Sequence, residues 1–152
     1  MEEISSWVDI AAPTIVVWAT LTDFASYPQW NPFLTRVEGV PAAGERLRVR
    51  IAPPGGRAMT FRPRVLVADP GRELRWLGRL LVPGLFDGEH SLALTSTGET
   101  SCRFVQSETF RGALVPLLRR LLGPTSEGFR QMNEALRQRA EAAYGGSSGA
   151  QS

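Results

Sequence analysis

Apolar and polar positions recur with two different periods along this chain of 152 residues. From Thr125 to Tyr144 the apolar residues return every three or four positions, which is the spacing of one helix face. Between Leu34 and Phe110 apolar and polar residues alternate with period two, as they do in strands with one buried face. Short turns rich in proline and glycine interrupt that alternation, and strands joined by short turns pair antiparallel. The pattern predicts an α+β fold in which the helix covers the apolar face of a sheet.

The remaining segments predict how the chain enters and leaves this sheet. A first strand over residues 2–10 leads into a helix that begins near Pro13, and a short helical turn follows at residues 26–30. The sheet strands are predicted at residues 35–40, 45–52, 59–69, 73–82, 86–96 and 100–110, with Pro63 marking an edge or a bulge. The apolar run 114–122 is predicted to be helical and to end at Gly123-Pro124. The long helix is predicted to stop at Gly145-Gly146, so residues 1–144 form one domain and 145–152 a disordered tail.

Composition excludes several classes of protein. No apolar run approaches the roughly 20 residues of a membrane helix. The acidic start Met1-Glu2-Glu3 lacks the features of a signal peptide, which predicts a cytoplasmic protein without an integral membrane segment. One cysteine excludes an internal disulfide, and a single histidine beside it argues against zinc, copper or haem, so no cofactor is predicted. For oligomeric state we expect a monomer or a homodimer.

All 17 basic residues are arginines, and the net charge is only +2. Arg46, Arg48 and Arg50 alternate with apolar residues, and Arg62 and Arg64 do the same on the next strand. This pattern predicts the solvent face of a sheet. A nucleic-acid surface is the alternative, but the arginines fall on the opposite face from the aromatic residues, so no nucleic-acid partner is predicted.

Three stretches carry a resemblance to a known superfamily. They are Ile10 to Phe24 with its Ala-Ala-Pro and Val-Trp pairs, the box Tyr-Pro-Gln-Trp-Asn-Pro-Phe at 27–33, and Leu74-Arg-Trp76 through Phe-Asp-Gly-Glu-His at 86–90 to residues 108–112. Together they resemble the SRPBCC (START-like) superfamily in its polyketide cyclase/dehydrase and lipid-transport branch. The resemblance implies a helix-grip fold: a curved antiparallel sheet of about seven strands around a long C-terminal helix, with two short helices after the first strand. It also implies a deep apolar cavity between sheet and helix.

The alternation sorts the strand residues into those that face this helix and those that face solvent. His90 and Glu108 are polar residues on otherwise apolar inner faces of consecutive strands. A carboxylate beside an imidazole orients the ring as a general acid or base requires, which makes the two residues catalytic candidates. A hydrogen-bonded structural pair and a pocket lining without chemistry remain alternatives. The predicted ligand-binding residues are Trp30, Phe33, Val49, Ile51, Phe61, Val65, Trp76, Phe86, His90, Leu92, Phe104, Gln106, Glu108, Phe129, Met132, Asn133 and Leu136.

Three functions follow as hypotheses. The first is binding of a hydrophobic small molecule, such as a lipid, a polyketide or an aromatic metabolite, in the cavity. The second is a cyclase or aromatase in which His90 and Glu108 exchange protons with a poly-β-ketone chain. The third is a protein-interaction or stress-response module. No nucleophile elbow, phosphate-binding loop or dinucleotide fingerprint occurs in the sequence.

Overall fold

A computed structural model describes residues 2–80 and 82–149 of the chain. The strands over these residues are β1 (Glu2–Ile10), β2 (Leu34–Glu38), β3 (Arg48–Ile51), β4 (Met59–Phe61), β5 (Arg64–Asp69), β6 (Glu73–Leu80), β7 (Phe86–Gly98) and β8 (Ser101–Arg111). The α-helices are α1 (Thr14–Thr22), α2 (Tyr27–Trp30) and α3 (Leu122–Gly149). Two 3₁₀ turns, Phe24–Ser26 and Arg119–Leu121, precede α2 and α3. The predicted order of strand, short helices, sheet and long helix is confirmed.

The strands form two antiparallel sheets that backbone hydrogen bonds join into one curved layer. The larger sheet has the order β1-β8-β7-β6-β5, and the smaller has the order β2-β3-β4. The sheets separate at Pro63, which has no N–H to donate and interrupts the predicted strand 59–69 between β4 and β5. Across the gap, Leu47 N–H donates to the Pro63 carbonyl and Val65 N–H donates to the Glu45 carbonyl, both at 2.8 Å.

Helix α3 packs its apolar stripe against the inner face of this layer. Phe129, Met132 and Leu136 are completely buried, and on the sheet side Trp76 and Phe104 are buried to the same degree. Removing side chains of this size from water contributes about 1.5–3 kcal/mol each. This burial explains why the helix stripe and the strand alternation share one core, and the predicted helix-grip architecture is confirmed.

Two details of the C-terminal region differ from the prediction. Residues 114–118 form turns, with one 3₁₀ turn after them, and α3 already begins at Leu122. Gly123 and Pro124 therefore lie in the first turn of α3, where the missing N–H of a proline costs little. The helix also continues through Gly145 and Gly146 to Gly149, because each glycine costs a helix only about 1 kcal/mol and does not forbid it. Residues 150–152 of the predicted tail lie outside the described residues.

Candidate functional site

His90 and Glu108 are directly opposite each other on the central strands β7 and β8. Their side chains meet on the inner face, with His90 Nδ1 3.0 Å from Glu108 Oε2. The His90 side chain is 1% exposed, whereas that of Glu108 is 11% exposed. The two predicted catalytic candidates are therefore in contact, and the carboxylate is the member of the pair that reaches open surface. Their catalytic role stays a prediction.

The hydrogen bonds continue from His90 to the helix and on to the edge strand. His90 Nε2 is 2.9 Å from Gln106 Oε1, and Gln106 Nε2 donates to Asn133 Oδ1 on α3 at 2.8 Å. Asn133 Nδ2 then donates to Ser6 Oγ on β1 at 3.1 Å. Gln106 and Asn133 are both buried, so this chain satisfies polar groups that would otherwise destabilise the core. The chain thus links β7, β8, α3 and β1.

The direction in which these hydrogen bonds are donated determines how many protons the His90–Glu108 pair holds. With Gln106 Oε1 as acceptor, Nε2 of His90 must carry a proton, and a second proton lies between Nδ1 and Glu108. If the side-chain amides of Gln106 and Asn133 flip, so that oxygen and nitrogen exchange places, the donation reverses. Ser6 then donates to Asn133, and Gln106 donates to Nε2 of His90. The pair then holds only the proton between Nδ1 and Glu108. Every group in the chain keeps a partner in both arrangements. The pair can therefore gain or lose one proton without losing a hydrogen bond.

Two aromatic rings enclose the imidazole. Trp76 stacks on His90 with ring centroids 5.1 Å apart and an interplanar angle of 18°. Phe129 of α3 meets the same ring edge-on at 5.3 Å. Because the rings exclude water, hydrogen bonds to His90 act in a medium of low dielectric and are stronger than in solvent. The packing also fixes the plane of the imidazole toward Glu108 and Gln106.

Beyond this packed centre, the inner face carries two glycines side by side. Gly78 on β6 pairs with Gly88 on β7, on the same face as Trp76 and His90. A Cβ on Gly88 would lie 2.5 Å from Oε1 of Glu108, and a Cβ on Gly78 would lie 3.1 Å from the ring of Phe61. The absence of side chains leaves room for both groups. We call this region the glycine end; it comprises Phe61, Gly78, Phe86, Gly88, Glu108 and Phe110.

The predicted ligand-binding residues divide between the packed centre and the partly open surface. Those that expose at most 2% of their surface are Phe33, Val49, Val65, Trp76, His90, Leu92, Phe104, Gln106, Phe129, Met132, Asn133 and Leu136. Those with more open surface are Trp30, Ile51, Phe61, Phe86 and Glu108. A side chain that lined a hollow large enough for water would show surface, so the first group is packed against protein. Three of the five more open residues belong to the glycine end, and Trp30 packs edge-on against Tyr27 in α2.

Sequence reasoning missed several residues that shape this site. Gly78, Gly88 and Ser6 were not among the predicted site residues, although strand alternation places the glycines on the same faces as Trp76 and His90. A glycine or serine carries no hydropathy signal in an alternating pattern. The usable signal was the presence of a glycine in the interior of each of two adjacent strands, which indicates close approach of another group.

Residues 2–80 and 82–149 contain neither a candidate metal site nor a candidate membrane-spanning helix. No group of three or more His, Cys, Asp or Glu side chains there could hold a metal ion. None of the helices in that part of the chain is both long enough and apolar enough to cross a membrane.

Solved structures share this architecture. The aromatase/cyclase Zhui from Streptomyces sp. R1128 is 18% identical, with 92% of this chain and 93% of that chain covered and a TM-score of 0.74. A START superfamily protein from Mycobacterium smegmatis is 21% identical over 93% of this chain and 98% of its own, with a TM-score of 0.70. Norcoclaurine synthase from Thalictrum flavum is 16% identical over 91% and 93%, with a TM-score of 0.69. At these identities the likeness shows the fold alone.

Sequence comparison adds the family. No curated protein matches the chain. The model of the polyketide cyclase/dehydrase and lipid transport family matches residues 1–141, nearly the whole sequence. The predicted family is thereby confirmed, and the chain belongs to the polyketide cyclase/dehydrase and lipid transport family.

Proposed function

We propose that this protein binds a hydrophobic small molecule at the glycine end, with a polar group of the ligand against Glu108. The observation that carries the proposal is a carboxylate on an apolar inner face, partly open and positioned over a residue without a side chain. A ligand pocket typically combines apolar walls with a few fixed polar groups that orient its occupant. Phe61, Phe86 and Phe110 supply such walls here, and Glu108 supplies the polar group.

The chemistry of these walls restricts the ligand. Apolar walls with a single polar group favour a lipid chain, a polyketide or an aromatic metabolite, whose surface is mostly apolar. An ionised Glu108 accepts hydrogen bonds and has none to donate, so we expect the ligand to present a hydroxyl or an enol. His90 fixes the carboxylate from behind through the 3.0 Å contact, so Glu108 is oriented before the ligand arrives.

A binding series tests this proposal. Fatty acids, phenols and polycyclic aromatic ketones are titrated against a fluorescent apolar probe bound to the protein. We expect displacement by ligands that carry a hydroxyl, and weaker displacement after Glu108→Leu, which removes the acceptor. Glu99→Leu, a change in the exposed turn between β7 and β8, is the matched control and should not alter affinity. Saturable binding that is identical in the Glu108→Leu and Glu99→Leu variants would contradict the assignment of Glu108, and no binding by any ligand would contradict the proposal itself.

Acid/base catalysis is a second candidate, because the hydrogen-bond chain lets the His90–Glu108 pair change its proton count by one. In such a reaction the pair removes a proton from the carbon between two ketones, the enolate attacks a distant carbonyl, and the same proton is returned to the new alkoxide. Loss of water from the resulting alcohol completes an aromatisation. Two proteins with this fold, an aromatase/cyclase and a norcoclaurine synthase, are enzymes by name, which supports this second candidate.

Proton exchange distinguishes the enzyme from a binding protein. We expect the protein to accelerate exchange of deuterium into the carbon between the ketones of a bound aromatic β-diketone, measured by NMR. Glu108→Gln keeps the shape of the side chain but removes the base. The exchange rate of the bound diketone should fall by roughly 100-fold or more, while its affinity changes little. Exchange no faster than in buffer, or unchanged in the Glu108→Gln variant, would exclude the catalytic role and leave the binding role standing.

A further inference from the structure

A separate cleft lies on the outer face of the smaller sheet, away from α3. Its volume is about 280 Å³, and its lining consists of Arg36 and Glu38 from β2, Arg48 and Arg50 from β3, and Thr60 from β4. Every lining side chain is polar, in contrast to the apolar inner face of the same strands. Arginines at alternate positions with outward side chains produce this surface, as period two requires.

The strand register brings like charges together in this cleft. Arg36 is directly opposite Arg50, and Thr60 is opposite Arg50 on the other side, so Arg50 lies at the centre. Glu38 is opposite Arg48 but forms its ion pair with Arg36, at 2.6 Å. Like charges directly opposite each other on neighbouring strands are destabilising. An anion between these guanidinium groups would reverse that cost.

The larger sheet treats its outward arginines differently. Arg75 contacts Glu73 and Glu89, and Arg103 contacts Asp9, so these two arginines of the larger sheet have acidic partners. On the smaller sheet and the start of β5, the side chains of Arg48, Arg62 and Arg64 have no hydrogen-bond or ion-pair partner among the described residues. Arg48 in the cleft thus lacks the acidic partner that Arg75 and Arg103 have.

Charge is distributed along the chain in the same way. Residues 34–64 contain seven arginines and two glutamates, a net charge of +5. The rest of the chain contains ten arginines and thirteen acidic residues, a net charge of −3, so that the total is +2. The positive charge of the protein is thus concentrated in the segment that forms the cleft.

From these observations we infer that the cleft binds a phosphate-bearing small molecule. The five lining residues carry three positive charges and one negative charge, which leaves +2 to match a phosphate dianion. The guanidinium groups of Arg48 and Arg50 are planar forks that donate paired hydrogen bonds to phosphate oxygens. Arg50 is already held by a hydrogen bond from Nη1 to Thr35 Oγ1 at 2.9 Å, and the Thr60 hydroxyl supplies a further donor. Glu38 holds Arg36 in place through their ion pair.

Titration calorimetry with defined anions tests this inference. Phenyl phosphate, pyrophosphate and inorganic phosphate are added to the full chain at constant ionic strength, with sulfate and chloride as references. We expect saturable binding of the phosphates at one site. Arg48→Gln should weaken it by about tenfold, which is the loss of one charged hydrogen-bonding partner. Arg48→Lys keeps the charge but loses the forked pair of donors. Its phosphate affinity should lie between that of the unaltered protein and that of Arg48→Gln.

Controls separate a phosphate cleft from general attraction to positive charge. Arg120→Gln removes an equal charge from an exposed position outside the cleft and should leave the dissociation constant within about twofold, because screening weakens distant charges. Thermal melting confirms that each variant is folded. Vesicles containing phosphatidic acid test whether the same site accepts a phosphate on a lipid headgroup, and Arg48→Gln should weaken that binding as well.

Two results would overturn the inference. One is the absence of saturable phosphate binding while an oligonucleotide of equal charge binds, since this would make the surface a general polyanion face. The other is an equal loss of phosphate affinity in Arg48→Gln and Arg120→Gln, since the effect would then be one of net charge. Both outcomes are independent of whether a hydrophobic ligand binds at the glycine end.

Discussion

The carboxylate of Glu108 lies over Gly88 so closely that a Cβ on that glycine would be 2.5 Å from Oε1. The nearest heavy atom to the missing side chain thus belongs to a carboxylate of the inner face that is partly open. Gly88 determines where that carboxylate can lie, and the carboxylate in turn holds His90. Gly88 therefore shapes the site because its missing side chain leaves room for the carboxylate.

Gly88→Ala should displace the Glu108 carboxylate and lengthen its contact with His90. Because the displaced atom is the end of a flexible, partly open side chain, we expect a loss of unfolding free energy at the low end of the range for overpacking, about 1 kcal/mol, measured by urea denaturation. The same variant should bind an apolar ligand differently from the unaltered protein. Gly123→Ala is the matched control: nothing lies within 4 Å of a Cβ there, and alanine favours a helix, so stability should stay equal or rise. Equal effects of the two substitutions would show that the contact is unimportant.

Gln106 and Asn133 should behave as one unit in a double-mutant cycle. Gln106→Leu and Asn133→Leu each leave a buried partner without its hydrogen bond, at a cost of about 1–3 kcal/mol. The double variant should lose less than the two singles together, by about 0.5–3 kcal/mol, because the second change removes a group that is already unpaired.

The control for that cycle pairs Gln106→Leu with Gln138→Leu, on an exposed part of α3. Those two effects should add. Additivity in both cycles would mean that the bond between Gln106 and Asn133 contributes no free energy of its own.

Glu73 gives the stability a defined pH dependence. A hydrogen bond from Arg75, opposed by partial burial and assisted by Ser91, lowers the pKa of this carboxyl in the folded protein. The folded state therefore favours the ionised form, and the stabilisation is fully present above the ordinary glutamate pKa of about 4.3. It is lost as the pH falls below that value and through the lower pKa of the folded state. Urea denaturation should show Glu73→Gln to be less stable than the unaltered protein at pH 7, with a smaller deficit at pH 3.

The matched substitution Glu99→Gln changes an exposed carboxyl without a side-chain partner in the described residues. It should leave the stability unchanged at both pH values. A deficit of the Glu73→Gln variant that was equally large at low pH would point to lost packing and not to lost charge.

Cys102 should be unreactive in the folded protein. It is completely buried, and burial raises the pKa of its thiol to about 11. Since the thiolate is the reactive form, a disulfide reagent should modify Cys102 at pH 8 only as fast as the protein opens, and rapidly in urea. A Thr100→Cys/Cys102→Ser variant moves the thiol to the exposed turn and should react at once. Comparable rates in the two folded proteins would show that β8 opens readily at this position.

Strand alternation alone predicted that His90 and Glu108 face the same side of neighbouring strands. Their exact pairing follows from the short turn at Gly98, which sets the register of β7 and β8. Alternation could not show how much space lies between sheet and helix, because it assigns a face and not a volume. Trp76, His90 and Phe129 were predicted to line a hollow, and the structure packs them against one another.

Apolar runs were the second limit. Residues 114–122 are as apolar as a helix face, but Pro116 and the turns before it prevent a regular helix, and α3 begins only at Leu122. Pro63 was predicted to mark an edge or a bulge within one strand, 59–69, whereas the structure ends β4 before it and begins β5 after it. The position of the irregularity was predictable from the missing N–H, but its extent was not.

The uneven placement of arginine makes this small domain an electric dipole, despite its net charge of only +2. The electric field of a charged surface orients such a molecule before the two come into contact. A negatively charged surface attracts the smaller sheet. This orientation weakens as salt shortens the range of the field. The arginines of β2 and β3 thereby determine which way the protein faces when it first meets a partner.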